Sequence, residues 1–177
     1  LLSVDVLLER AYGPGKISIP LVVNDPSVHA ALDRSMEARL LRALKDVDSL
    51  MDPMNPDPLL CVARSQLALF SGDRVRPYDL LDQAVQRAPE GVDALVARGI
   101  FRLSEHHYLE ADEDLRKAWD LSARQNVDGV RIQKIRFLAG ATALYVGDLV
   151  RAQDLLNDFG GDSIYRAGSE QLLGLIS

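Results

Sequence analysis

The sequence predicts an all-α chain of stacked helix–turn–helix hairpins, and three observations carry that expectation. Leu and Ala dominate a composition that is 47% hydrophobic and only 6% aromatic, and both residues favour helix. From Pro58 to Phe159 apolar residues recur at spacings of three and four, the period of a helix with one buried face. Turn residues cut that pattern into pairs of short helices, and the pairs recur along the chain. A length of 177 residues suffices for one well-buried domain and falls short of two comfortable ones.

The elements follow in order. Leu1 to Tyr12 reads as a short helix stopped by Gly13-Pro14-Gly15. Ile17 to Val23 is β-prone with no second strand to pair with, which predicts an extended strap packed on helices. Residues 26–51 read as one long helix, with Asp25 as N-cap and Pro26 in the first turn. Its stripe is Val28, Leu32, Met36, Leu40, Leu44, Val47 and Met51. The Pro-rich stretch 51–58 then links this N-terminal segment, residues 1–57, to the repeats, residues 58–177, within one continuous domain.

The first pair of helices spans Pro58 to Gly91, with a turn at Ser71-Gly72-Asp73 and a stop at Ala88-Pro89. Pro77 predicts a late start for its second helix. The second pair runs from Val92, turns at Glu105-His106-His107 and carries Tyr108, Leu109, Ala111, Leu115, Ala118, Trp119 and Leu121 in its partner helix. The third turns at Gly147-Asp148 and carries Leu149, Ala152, Leu155, Leu156 and Phe159. Ser163 to Ile176 reads as a final helix that covers the open face of the last pair.

Aligned, the copies place Ser65, Gly99 and Gly140 at one position, and Leu81, Leu115 and Leu156 at another. Small residues belong where two backbones approach, and leucines fill the space between layers. Ala84 and Ala118 are 34 residues apart, whereas Gly99 and Gly140 are 41 apart. The insertion falls at residues 123–129, as lengthened helix ends or a longer linker.

On this pattern of small residue, Ala and Leu, with the Gly-Asp turns and Pro89, residues 58–159 resemble the tetratricopeptide repeat (TPR) family. Cys61, Leu95 and Arg136 stand where the family carries a bulky aromatic, and Pro77 and Phe159 replace small residues. The resemblance implies a right-handed α-α superhelix of three TPR-like hairpins, flanked by N-terminal helices and a C-terminal capping helix. It also implies a concave groove lined by Leu59, Val62, Gln66 and Leu69, by Asp93, Val96 and Ile100, and by Lys134, Phe137, Ala141 and Leu144. Such a lining suits an apolar peptide or an amphipathic helix; the chain's own residues 1–50 are the rival occupant. The family's carboxylate clamp is not expected, because Val62, Gln66, Ala97 and Leu138 stand at clamp positions and only Lys134 keeps the charge.

Other chemistry finds little support in the sequence. The net charge of −6 gives no general attraction to nucleic acid or anionic lipid. Cys61 is the single cysteine and reads as a packed core thiol. His106-His107 at a turn tip reads as an exposed polar turn, since adjacent residues face apart. The acidic run Asp112-Glu113-Asp114 reads as a solvated face more apt to attract a basic partner than a metal. No carboxylate pair, catalytic triad or phosphate loop is recognisable, and no metal or small-molecule cofactor is expected.

No apolar run reaches the ~20 residues of a spanning helix, so membrane association is expected only through a partner or a missing anchor. The chain opens at Leu1 and not at Met, which fits removal of a signal peptide or anchor. Cytoplasm and periplasm both suit it, a homo-oligomer is compatible with it, and the bias to Arg over Lys suggests a bacterial source. The expected function is a non-catalytic adaptor or assembly factor for a protein or peptide partner, in complex assembly, secretion or the envelope. The alternative is an accessory or regulatory module of a larger enzyme or signalling protein.

Overall fold

A computed structural model describes residues 34–52, 54–70, 73, 75–157, 159 and 163–175. The expected helix at 1–12, the strap at 17–23 and the first part of the long helix lie outside the described residues. Among the described residues every regular element is an α-helix, and contacts divide the chain into two compact units, Leu1–Pro89 and Glu90–Ser177.

In the first unit, α1 (Arg34–Leu50) packs on α2 (Pro58–Phe70), and α2 packs on α3 (Arg76–Arg87). Ala43 and Val47 of α1 are buried, and the predicted stripe residues Leu44 and Met51 are half-buried. Asp57 starts α2: its Oδ1 accepts from the amides of Leu59 at 2.8 Å and Leu60 at 3.3 Å. These are donors that no preceding helical turn can satisfy. Leu60, Cys61, Val62, Ala63, Leu67 and Ala68 are all buried, so α2 is enclosed on several sides. Asp73 repeats the capping device, accepting from Val75 and Arg76. Helix α3 starts late with Pro77 in its first turn, as expected, and buries Pro77, Leu81, Ala84 and Val85.

The second unit holds two hairpins, α4 (Val92–Ser104) with α5 (Tyr108–Arg124) and α6 (Gly129–Tyr145) with α7 (Leu149–Leu156). A short helix, α8 (Arg166–Leu173), packs on α7 and α6. Each hairpin crosses at a glycine. A Cβ on Gly99 would lie 2.6 Å from Leu115 Cγ, and one on Gly140 would lie 2.7 Å from Leu156 Cγ. The leucine follows its glycine by the same 16 residues in both hairpins, and Leu81 follows Ser65 by that interval in the first unit. Ser65 is fully buried there, its hydroxyl donating to Val62 O at 2.7 Å.

The insertion lengthens helices. Both α5 and α6 have 17 residues against 13 in α4, and Asn126, at φ 51°, makes the turn between them. Asp128 and Asp148 cap α6 and α7, while Gly147 supplies a φ of 83° in the turn between these two helices.

The C-terminal helix is shorter than the apolar pattern predicts. Ser163 to Tyr165 form a turn, tied to α6 because Ser163 Oγ donates to Gln133 Oε1 at 2.9 Å. Of the apolar residues assigned to that helix, Leu172 and Leu173 pack inward, whereas Ile164 and Leu175 are exposed. Phe159 lies beyond the end of α7 yet is buried, packed with Ala143, Ala152 and Leu156.

The crossings yield a direct test. Gly140→Ala should lose about 1–3 kcal/mol in urea unfolding, because Leu156 is fully buried and the added methyl overpacks it. At Gly129 a Cβ meets nothing within 4 Å among the described residues, so Gly129→Ala should instead gain about 0.4–1 kcal/mol by restricting the unfolded chain.

Candidate functional site

The expected groove residues lie on α2 in the first unit and on α4 and α6 in the second. On α2, Leu59 is 44% exposed, Gln66 and Leu69 are half-buried, and Val62 is buried. The Gln66 Oε1 is enclosed, with no hydrogen-bond donor on it among the described residues.

On α4, Asp93 is exposed at the N-terminal end, Ile100 is half-buried and Val96 is buried. On α6, Lys134 and Leu144 are half-buried and Ala141 is buried. Asp93 accepts from the Arg131 guanidinium, joining the N-terminal ends of α4 and α6.

Phe137 is held inside the protein's own packing. Its ring stacks on Tyr165 at 5.3 Å and meets Phe159 edge-on at 6.3 Å, and Gly168 of α8 approaches so closely that a Cβ would sit 3.1 Å from it. Burial pushes the Tyr165 phenol above its ordinary range. Val62, Val96 and Phe137 each stand three residues before the small residue of their crossing. That position turns toward packed neighbours, so these three offer a partner less than Leu59, Ile100 and Leu144 do.

The acidic run is not the solvated face that its composition suggests. Asp114 is buried, and its carboxylate accepts from Arg98 Nε at 2.9 Å, Arg98 Nη2 at 2.7 Å and Arg102 Nη1 at 2.8 Å. Asp112 accepts from Arg151 Nη2 through both oxygens, at 2.9 and 2.8 Å. Of the three residues only Glu113 is exposed. The run is therefore occupied by arginines of this chain. A signal for it exists: Arg98 adjoins Gly99 and Asp114 adjoins Leu115, so the crossing itself brings the charges together.

At the turn, His106 adopts a left-handed φ of 64° and is exposed, in keeping with a polar turn. Its Nδ1 lies 2.8 Å from Tyr108 Oη, and Tyr108 stacks on Tyr145 at 4.8 Å with the rings 7° apart. Among the described residues, no three His, Cys, Asp or Glu side chains are placed to hold a metal ion. No helix among them is long and apolar enough to cross a membrane.

Cys61 is fully buried, and burial pushes its thiol up from the ordinary 9.0, against the opposing pull of Arg87. Iodoacetamide should therefore alkylate the native chain more than about tenfold more slowly than the urea-unfolded chain. Above pH 9.0 the unfolded thiol loses its proton before the folded one, so stability should decline as pH rises through that value. For the buried carboxylate, Asp114→Ala should cost about 3–5 kcal/mol by removing the acceptor that Arg98 and Arg102 share, whereas Glu113→Ala should stay within about 0.5 kcal/mol. Both are read from chemical denaturation. Compared with known proteins, the chain matches no family model, no curated protein and no solved structure.

Proposed function

We propose that this chain is a non-catalytic interaction module of TPR-like hairpins, an adaptor or assembly factor that holds a peptide or helix of a protein partner. The observation carrying this reading is the recurrent crossing, with Leu115 over Gly99 and Leu156 over Gly140. Its glycines and leucines belong to the small-residue, Ala and Leu pattern that, with the Gly-Asp turns and Pro89, carries the resemblance to that family, and stacked hairpins of this kind present the faces of their first helices.

The second unit offers such a face in Ile100 on α4 and Lys134 and Leu144 on α6, with the Asp93–Arg131 pair at one end. Apolar positions spaced along helices, with charges at the margin, suit an amphipathic helix or an extended apolar peptide. Fold resemblance alone does not name the ligand.

Selection of displayed random peptides against the full chain tests the reading. The expected result is an apolar consensus whose binding is lost in an Ile100→Glu/Leu144→Glu variant of unchanged thermal stability. Failure to enrich any sequence, or equal binding by the variant, would count against this face.

A further inference from the structure

The second helix of each hairpin repeats one exposed pair of side chains. Leu109 on α5 is 71% exposed and Val150 on α7 is 72% exposed, and each is followed four residues on by an exposed acid, Glu113 and Asp154. The first unit carries the same pair by itself, with Val75 at 76% exposure and Asp79 exposed at the start of α3. The offsets are those of the repeat, 34 residues from Val75 to Leu109 and 41 from Leu109 to Val150. At about 100° per residue, Leu109 and Glu113 share the side of α5 turned away from buried Ala111 and Ala118. A single exposed apolar side chain is ordinary. Its return at one position, with the same acid beside it, is nothing that the core requires.

In the second unit the two pairs stand close together. Asp112 and Arg151 meet at 2.8 Å, Leu109 stands one turn before Asp112, and Val150 adjoins Arg151, so the ion pair sets both apolar residues at one level. Tyr145, stacked on Tyr108, and Leu149 extend the exposed apolar area. Its charge is acidic: Arg151 is engaged by Asp112 and Asp148, and among the described residues no basic side chain pairs with Glu113 or Asp154. Arg116 and Lys117, exposed cations of α5, lie a turn beyond Glu113. We infer that this surface is a second docking face, which takes a basic amphipathic helix of a protein partner. Apolar side chains of that helix cover Leu109, Tyr145 and Val150, and its flanking Lys or Arg residues meet Glu113 and Asp154, which excludes acidic partners.

Fluorescence anisotropy on the full chain tests this face with a labelled helical peptide of about five turns, Leu on one side and Lys on the other. The parent should bind it at least about tenfold more tightly than a scrambled peptide of the same composition. Leu109→Ser/Val150→Ser, with thermal unfolding unchanged because both side chains are exposed, should lose that preference. Glu113→Lys/Asp154→Lys should bind the counterpart with Glu in place of Lys and release the original. Equal binding of ordered and scrambled peptides by the parent, or no binding of either, would overturn the inference. So would undiminished binding by Leu109→Ser/Val150→Ser, or a loss confined to Ile100→Glu/Leu144→Glu, which would put the peptide on the first helices.

Discussion

Close approach of paired helices at a residue without a side chain sets the geometry from which the rest of the second unit follows. Glycine in a helix interior costs about 1 kcal/mol relative to alanine, so its presence at both Gly99 and Gly140 calls for an offsetting gain. The gain is contact. Leu115 and Leu156, both fully buried, occupy the space that a Cβ would take. Once the crossing point is fixed, helical periodicity decides what lies beside it. Ala111 and Ala118 flank Leu115 along the same face of α5, and both are fully buried.

The same constraint explains why a carboxylate can be enclosed in one hairpin. Asp114 and Arg98 flank the Gly99–Leu115 crossing, and Arg102 lies one helical turn along α4. The short distance between helices lets one carboxylate accept from two guanidinium groups without water between them. Enclosing an ion is costly, and the cost is recovered only when its lone pairs are satisfied; three donors within hydrogen-bond distance meet that condition. In the α6–α7 hairpin the corresponding neighbours are Ala139 and Leu155, both buried and apolar. One crossing therefore serves two kinds of lateral packing, and the ionic version restricts which helix faces can meet.

Much of this was legible in the sequence, for identifiable reasons. Helix positions, the late start at Pro77 and the crossing residues follow from periodicity and turn chemistry, which act locally. The burial of Asp114 and the pairing of half-buried Asp112 escaped because composition treats adjacent acids as one face, whereas a helix turns each by about 100°. The C-terminal helix was overextended because Ile164 and Leu175 are apolar, yet Tyr165 and Gly174 cap the regular backbone on either side. At the candidate site, position relative to the crossing separates buried Val62 and Val96 from half-exposed Ile100 and Leu144. Spacing within one helix carries no information about what the neighbouring layer covers.

That separation narrows what a partner could read in the second unit. Residues three before the crossing serve the packing of the stack, and Phe137 shows the limit of that role, enclosed by aromatic residues from the C-terminal segment. Apolar contacts are non-directional and discriminate poorly by themselves. Selectivity would then come from charged neighbours, where a mismatched partner leaves a polar group unpaired. Asp93 and Arg131 already satisfy each other, so a charged ligand at that end must compete with an internal pair. On the proposed reading, a face that carries its own ion pair favours ligands that hold their charges elsewhere and bring apolar side chains to Ile100 and Leu144.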